Sequence, residues 1–173
     1  MSRAFVKESD DLSVDVPERL HSPHPNYVTP RGLATLKRQE EELEAALAAT
    51  EAPAGGSVAA DGKLVDRQAR AVVDRDLRYV RERIRRAILI DPATQPKDRV
   101  AFAALVETVD DHDQQRRFEI VGEDEADPSI GRLSWVSPLA LALTDAAIGD
   151  VVTWKRPTGN LELEIHSIRY PEN

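Results

Sequence analysis

Two helical patterns of similar length and opposite charge meet across one short segment, and this pairing constrains the fold more than any other feature of the chain. The first pattern opens at Thr29-Pro30, a capping residue followed by proline at the first helical position, where its missing N–H costs nothing. Leu33, Leu36, Leu43 and Leu47 then recur at spacings of three and four, and Glu40 takes the one missing apolar position. So narrow a stripe is a two-helix seam, not a broad core-facing surface. In the second pattern Val73, Leu77, Val80, Ile84 and Ala87 step by the same spacings and can face those leucines. Between them, Pro53 and Gly55-Gly56 end the helical regularity, since a proline inside a helix costs about 3 kcal/mol. The second helix is expected to begin between Lys63 and Asp66. This places Asp61-Gly62-Lys63-Leu64-Val65-Asp66-Arg67 at the tip of an antiparallel hairpin, the point furthest from the rest of the chain.

The two arms differ in charge. From Lys37 to Glu51 there are two basic and five acidic residues, whereas from Asp66 to Arg86 there are eight arginines and four acids. Part of the arginine set is expected to pair with the acidic arm. The surplus, with Arg78, Arg81 and Arg85 on the outer face, gives the hairpin a positive stripe. The chain as a whole carries a net charge of -8, which excludes a general nucleic-acid binder, because such a protein needs a basic surface against phosphate. The absence of cysteine excludes disulfides, thiolate metal sites and cysteine nucleophiles. No signal-like leader and no apolar run of about 20 residues is present, so a cytoplasmic monomer with no membrane contact is expected.

Residues 1–28 contain Pro17 and His21-Ser22-Pro23-His24-Pro25 and are expected to form an extended or disordered leader. The two histidines lack a nearby carboxylate pair to complete a metal site and read as solvated. The hairpin is assigned to 29–91 and a linker to 92–98, after Asp91-Pro92 stops the helix. From 99 to 173 the period changes. Val100 to Val109, then Phe118 to Val121 and Arg132 to Val136, read as strands; Ser137-Pro138 starts a short helix through Leu143; Val151 to Trp154 and Leu161 to Ile165 form a hairpin around Pro157-Thr158-Gly159-Asn160. The fold class is α+β, with a mainly antiparallel sheet in the second domain.

Several stretches, in order, resemble the bacterial Gre family of transcript-cleavage factors, GreA and GreB, over about residues 27–170. Thr29-Pro30-Arg31-Gly32-Leu33 with Leu36, Glu42, Leu43 and Glu44 resembles the family's opening T-x-x-G-x-x-x-L pattern. Phe118 to Asp127 resembles its IVG-D-EAD segment, and Ser134 to Leu143, with Ser137-Pro138-Leu139-Ala140, its ISxxSPxxxAL stretch. Gly149-Asp150-Val151-Val152, Pro157-Thr158-Gly159 and Ile168-Arg169-Tyr170 are similar to its GDxVxxxxPxG…EIxxIxY ending. The resemblance implies a coiled-coil hairpin, a C-terminal domain of FKBP-like fold that docks on RNA polymerase, and entry of the hairpin into the polymerase secondary channel. Docking is thereby expected around Ser137 and Pro138 and the loop with Asp124 and Glu125. The arginines Arg78, Arg81 and Arg85 are expected near the nascent RNA.

In that family the tip motif G-D-[LR]-S-E-N supplies an Asp and a Glu that help to hold a second Mg²⁺ of the polymerase, so that it cuts its own backtracked RNA. Hard oxygen ligands suit that ion, which lowers the pKa of its bound water. This chain departs from the motif. Gly62 and Leu64 match, but Lys63 stands for the Asp, Val65 for the Ser, Asp66 for the Glu and Arg67 for the Asn. An ammonium has no acceptor and repels Mg²⁺. The chain is expected to bind no metal of its own and to be an accessory factor with weak or lost cleavage stimulation. The alternative is an active cleavage factor that uses Asp61 and Asp66 with the Mg²⁺ of the polymerase. A free-standing prolyl isomerase would need an aromatic-lined pocket, for which this half offers only Phe102, Phe118, Trp135, Trp154 and Tyr170.

Overall fold

The computed structural model describes residues 16–51 and 60–171. Two long helices, α1 (Pro30–Glu51) and α2 (Ala60–Arg85), lie against each other as the expected antiparallel hairpin. Thr29 caps α1: its hydroxyl oxygen accepts from the Gly32 N–H at 2.9 Å, which satisfies one of the donors a helix start leaves open. The seam is driest near the base, where Leu36, Leu77 and Val80 are buried, and turns half-buried by Leu43 and Leu47. Burying an aliphatic side chain contributes about 1.5–3 kcal/mol, so most of the hairpin's stability sits at its base. Glu40, the polar residue in the apolar stripe, accepts from Arg81 Nε across the seam at 3.1 Å.

Two sequence expectations are corrected here. The leader was expected to stay extended or disordered through residue 28, but Asn26–Val28 is a strand, β1. It pairs in parallel with β2 (Ala87–Leu89), in register Asn26 with Ala87 and Val28 with Leu89. The hairpin itself is the crossover that brings these two short strands together, a pairing no local pattern reveals. Secondly, α2 begins at Ala60, before the expected start, and ends at Arg85, short of Asp91, so that Ala87, expected on its apolar stripe, lies in β2. The segment from Asp61 to Arg67 is therefore the opening of a helix. The helix opens ahead of Gly62 despite a propensity cost of about 1 kcal/mol, and the described residues at that end, Val65 to Arg70, are exposed. Pro53 and Gly55-Gly56 lie outside the described residues.

The second domain is a five-stranded sheet in the order β5-β4-β3-β7-β6, with β3 (Leu105–Asp110), β4 (Gln115–Val121), β5 (Arg132–Ser134), β6 (Val151–Trp154) and β7 (Leu161–Arg169). Every neighbouring pair is antiparallel except β4 and β5. The register of β3 on β7 shifts between Glu107 and Thr108. One six-residue helix, α3 (Pro138–Leu143), buries Leu139, Ala140 and Leu143 against Val106, Ile120, Leu163 and Ile165. The class is α+β, as expected. Among the described residues no helix is long and apolar enough to cross a membrane.

Candidate functional site

The hairpin tip carries the residues to which the sequence attaches chemistry. Positions 61 and 66 lie five residues apart on α2, about 140° around the axis of a helix with 3.6 residues per turn. They do not share a face. Lys63 precedes Asp66 by one turn and Arg70 follows it by one turn, so the face of Asp66 is lined with basic positions. Val65, Asp66 and Arg67 are exposed. Asp66 thus stands on a helix face whose neighbouring positions in the sequence are basic.

The arginine stripe is largely matched within the chain. Arg81 bonds to Glu40 at 3.1 Å and Glu44 at 2.5 Å on the acidic arm. Arg78 reaches Glu18 of the leader at 2.6 Å and also pairs with Asp74 one turn back. Arg85 forks onto Glu82 at 2.6 and 2.7 Å. These carboxylates hold all three guanidiniums above their ordinary pKa. All three arginines remain exposed, but each is already neutralised by a neighbour.

The loop with Asp124 and Glu125, where docking is expected, contains the acidic run Glu123–Glu125. That run is a single turn of 3-10 helix held against the hairpin base. Glu125 accepts from the Thr29 hydroxyl at 2.6 Å and from Arg31 Nε at 2.6 Å. Arg31 donates at the same time to Glu119 at 2.7 Å, and Arg132 approaches the other Glu119 oxygen at 3.4 Å. Burial works to discharge Arg31, yet its bonds to Glu119 and Glu125 outweigh that and raise its pKa. Asp124 accepts from Arg83 Nε at 2.6 Å, and Tyr79 OH donates to it at 3.4 Å. Burial first, and the Asp124 charge second, push the Tyr79 phenol pKa upward.

Arg83 is the residue whose role the sequence reading missed. It is 1% exposed, yet its guanidinium reaches Asp124 and Asn26 Oδ1, the latter at 2.5 Å, and the Asn26 amide donates back to the Arg83 carbonyl at 2.7 Å. A signal existed. Arg83 follows Val80 by three and precedes Ala87 by four, which places a charge within the apolar stripe. A buried charge needs a charged, hydrogen-bonded partner. Close backbone approach supports the same junction, because a Cβ on Gly122 would strike the Tyr27 carbonyl oxygen.

Ser137 and Pro138 build the start of α3: the Ser137 hydroxyl accepts from the Ala140 N–H at 3.3 Å, and Pro138 is exposed at the first helical position. Among the described residues the one group with metal-like spacing is Asp110, Asp111 and His112. Its geometry is that of a turn: Asp110 accepts from the His112 and Gln114 N–H groups, each at 3.0 Å, and pairs with Arg116 at 3.2 Å.

Residues 95–170 match the family described as "Transcription elongation factor, GreA/GreB, C-term". The chain is 33% identical over 153 residues to transcription elongation factor GreB of Neisseria meningitidis serogroup B, covering 84% of this chain and 94% of that protein. It is 30% identical over 151 residues to transcription elongation factor GreA of Thermodesulfovibrio yellowstonii, covering 83% and 96%. Among solved structures it is similar to the prokaryotic transcription elongation factor GreA/GreB from Nitrosomonas europaea, at 20% identity, 83% and 98% coverage and a TM-score of 0.40.

Proposed function

The chain belongs to the GreA/GreB family of transcription elongation factors, and from that premise we propose that it binds RNA polymerase, enters the secondary channel with its hairpin and modulates elongation while stimulating little or no transcript cleavage. In this reading it works as a monomer in the cytoplasm, close to the nascent RNA, as an accessory factor and not an enzyme in its own right. The sheet domain docks and the helical arm reaches inward. Any bond cleavage is the chemistry of the polymerase.

The observation that carries this reading is the helical tip. Positions 61 and 66 lie on different faces of α2, and Lys63 and Arg70 flank Asp66 at one-turn spacing. Two positions about 140° apart around a helix axis stand on different faces, whereas Mg²⁺ demands near-octahedral oxygen geometry at about 2.1 Å. The matched state of Arg78, Arg81 and Arg85 supports a second element, that phosphate attraction along the arm is modest.

The test is to add the protein to stalled, backtracked elongation complexes and to follow short 3′ RNA products alongside polymerase binding. Binding without Mg²⁺-dependent cleavage is the expected result. Efficient cleavage that disappears in Asp66→Ala would overturn it in favour of an active cleavage factor acting through Asp66.

A further inference from the structure

The leader does more than precede the hairpin. Ten residues ahead of β1 run across the junction and touch both domains. Glu18 pairs with Arg78 on α2 at 2.6 Å, and Arg19 approaches Asp76 at 3.7 Å. The Arg19 guanidinium lies 3.9 Å from the centre of the Tyr79 ring, and the His21 ring stacks on that same ring at 4.8 Å with planes 4° apart. Ser22 then accepts from the His24 N–H at 3.2 Å in a tight turn. Beyond the turn, His24 meets Trp135 of the sheet domain edge-on at 6.0 Å, and Tyr27 packs on Trp135 at 4.9 Å. The two histidines, exposed as expected, each also lie against an aromatic ring, one in each domain.

We propose that residues 16–25 are a strap that narrows the range of angles between the hairpin and the sheet domain, added to the ion pairs at the base and fastened to the hairpin at Tyr79 and to the sheet domain at Trp135. Tyr79 is the anchor on the helical side because cation–π and stacking contacts converge on it, while its hydroxyl faces Asp124 of the sheet domain. The leverage is large. From Tyr79 to the start of α2 at Ala60 the helix rises about 28 Å, so a rotation of about 10° at the junction carries the tip about 5 Å. A brace near the base therefore controls where the far end of the arm arrives. The strap rests on polar and ring contacts at the surface, with Leu20 almost fully exposed between them, so it can be lifted without unpacking either core. The buried Arg83–Asp124 pair and the Arg31 bonds to Glu119 and Glu125 hold the same junction, so lifting residues 16–25 loosens the angle and does not release it. This inference concerns the chain alone and stands apart from whether the tip supports cleavage.

The chain contains no cysteine, so paired labels can be placed cleanly. In full-length protein carrying Q68C and K155C, both at exposed positions, double electron–electron resonance reads the distance between arm and sheet domain. One narrow distribution is expected for the parent. A broadened or displaced distribution is expected in the R19S/H21S variant and in a chain lacking residues 1–25, with far-UV circular dichroism of the point variant unchanged. If the truncated chain does not fold, the point variant decides. A distribution that stays the same in the folded variants, or one already broad in the parent, would overturn the proposal.

Discussion

The Arg83 guanidinium on α2 lies 2.6 Å from the Asp124 carboxylate of the sheet domain and is shut off from solvent. One ion pair thereby ties the base of the arm to the body it must be aimed from. Removing one partner of a buried pair costs about 3 kcal/mol or more when the other charge is left uncompensated. In Asp124→Ala the Glu123 carboxylate, 3.8 Å from Arg83, stays in place, so the unfolding free energy should fall by somewhat less, about 2–3 kcal/mol. Arg83→Met should cost less, because it fills the same space and leaves Asp124, which has some access to water. Urea unfolding of the two variants checks the order.

Gly122 and Gly32 both sit under the junction, but they should respond differently to a methyl group. At Gly122 the new Cβ would strike the backbone oxygen of Tyr27, which cannot move without disturbing β1. Gly122→Ala should destabilise by about 1–3 kcal/mol, the range for overpacking. At Gly32 the Cβ would come within 2.6 Å of Glu125 Oε2, a side-chain atom. The gain of about 1 kcal/mol in helix propensity partly offsets that displacement, so Gly32→Ala should be the milder change in the same unfolding experiment.

Acid should weaken the fold through Asp110 and Asp127. Burial works to keep Asp110 protonated, but the Gln114 and His112 N–H groups and Arg116 prevail and hold its pKa below the ordinary value. Asp127 is held low by the Ser129 hydroxyl and N–H. A carboxyl depressed in the folded state stabilises above its unfolded pKa of about 3.9 and loses that contribution as pH falls through the folded value. Stability should therefore be flat in these groups above about pH 5 and should decline below about pH 4. Asp110→Asn should start lower and show a shallower acid limb in thermal melts recorded against pH.

If the tip substitutions weaken cleavage as proposed, the family's tip residues should raise it. Replacing Lys63, Val65, Asp66 and Arg67 together by Asp, Ser, Glu and Asn should raise cleavage of backtracked RNA by at least about tenfold, a barrier change of about 1.4 kcal/mol. No gain, with polymerase binding intact, would show that the cause of weak cleavage lies outside these four side chains.

Neutralising Arg78, Arg81 and Arg85 together should change the salt dependence of polymerase binding little. Three free phosphate contacts would remove about 2–3 from the slope of log affinity against log salt. Because each guanidinium is already bonded to a carboxylate of its own chain, a change of less than about 1 is expected. Titrations at several salt concentrations distinguish the two.

What the sequence by itself determined is whatever depends on period and on local chemistry. The leucine spacing from Leu33 to Leu47 and the matching run from Val73 to Ile84 prescribe two helices with facing stripes, whereas Ala87, the next step of that run, lies in β2. Ser137-Pro138 prescribes a capped helix start, and the alternation after Val151 prescribes a hairpin. The tip substitutions were equally legible, because an ammonium in place of a carboxylate needs no coordinates to interpret. What only the tertiary structure decided depends on residues distant in the chain. The pairing of β1 with β2 joins segments separated by the whole hairpin. The burial of Arg83 depends on Asp124 and Asn26, and the resting places of His21 and His24 depend on Tyr79 and Trp135. The opening of α2 at Ala60, ahead of Gly62, likewise did not follow from local propensity. Periodicity shows which face a residue turns inward, but a polar contact between elements depends on which partner the fold brings within about 3 Å, and no single segment encodes that distance.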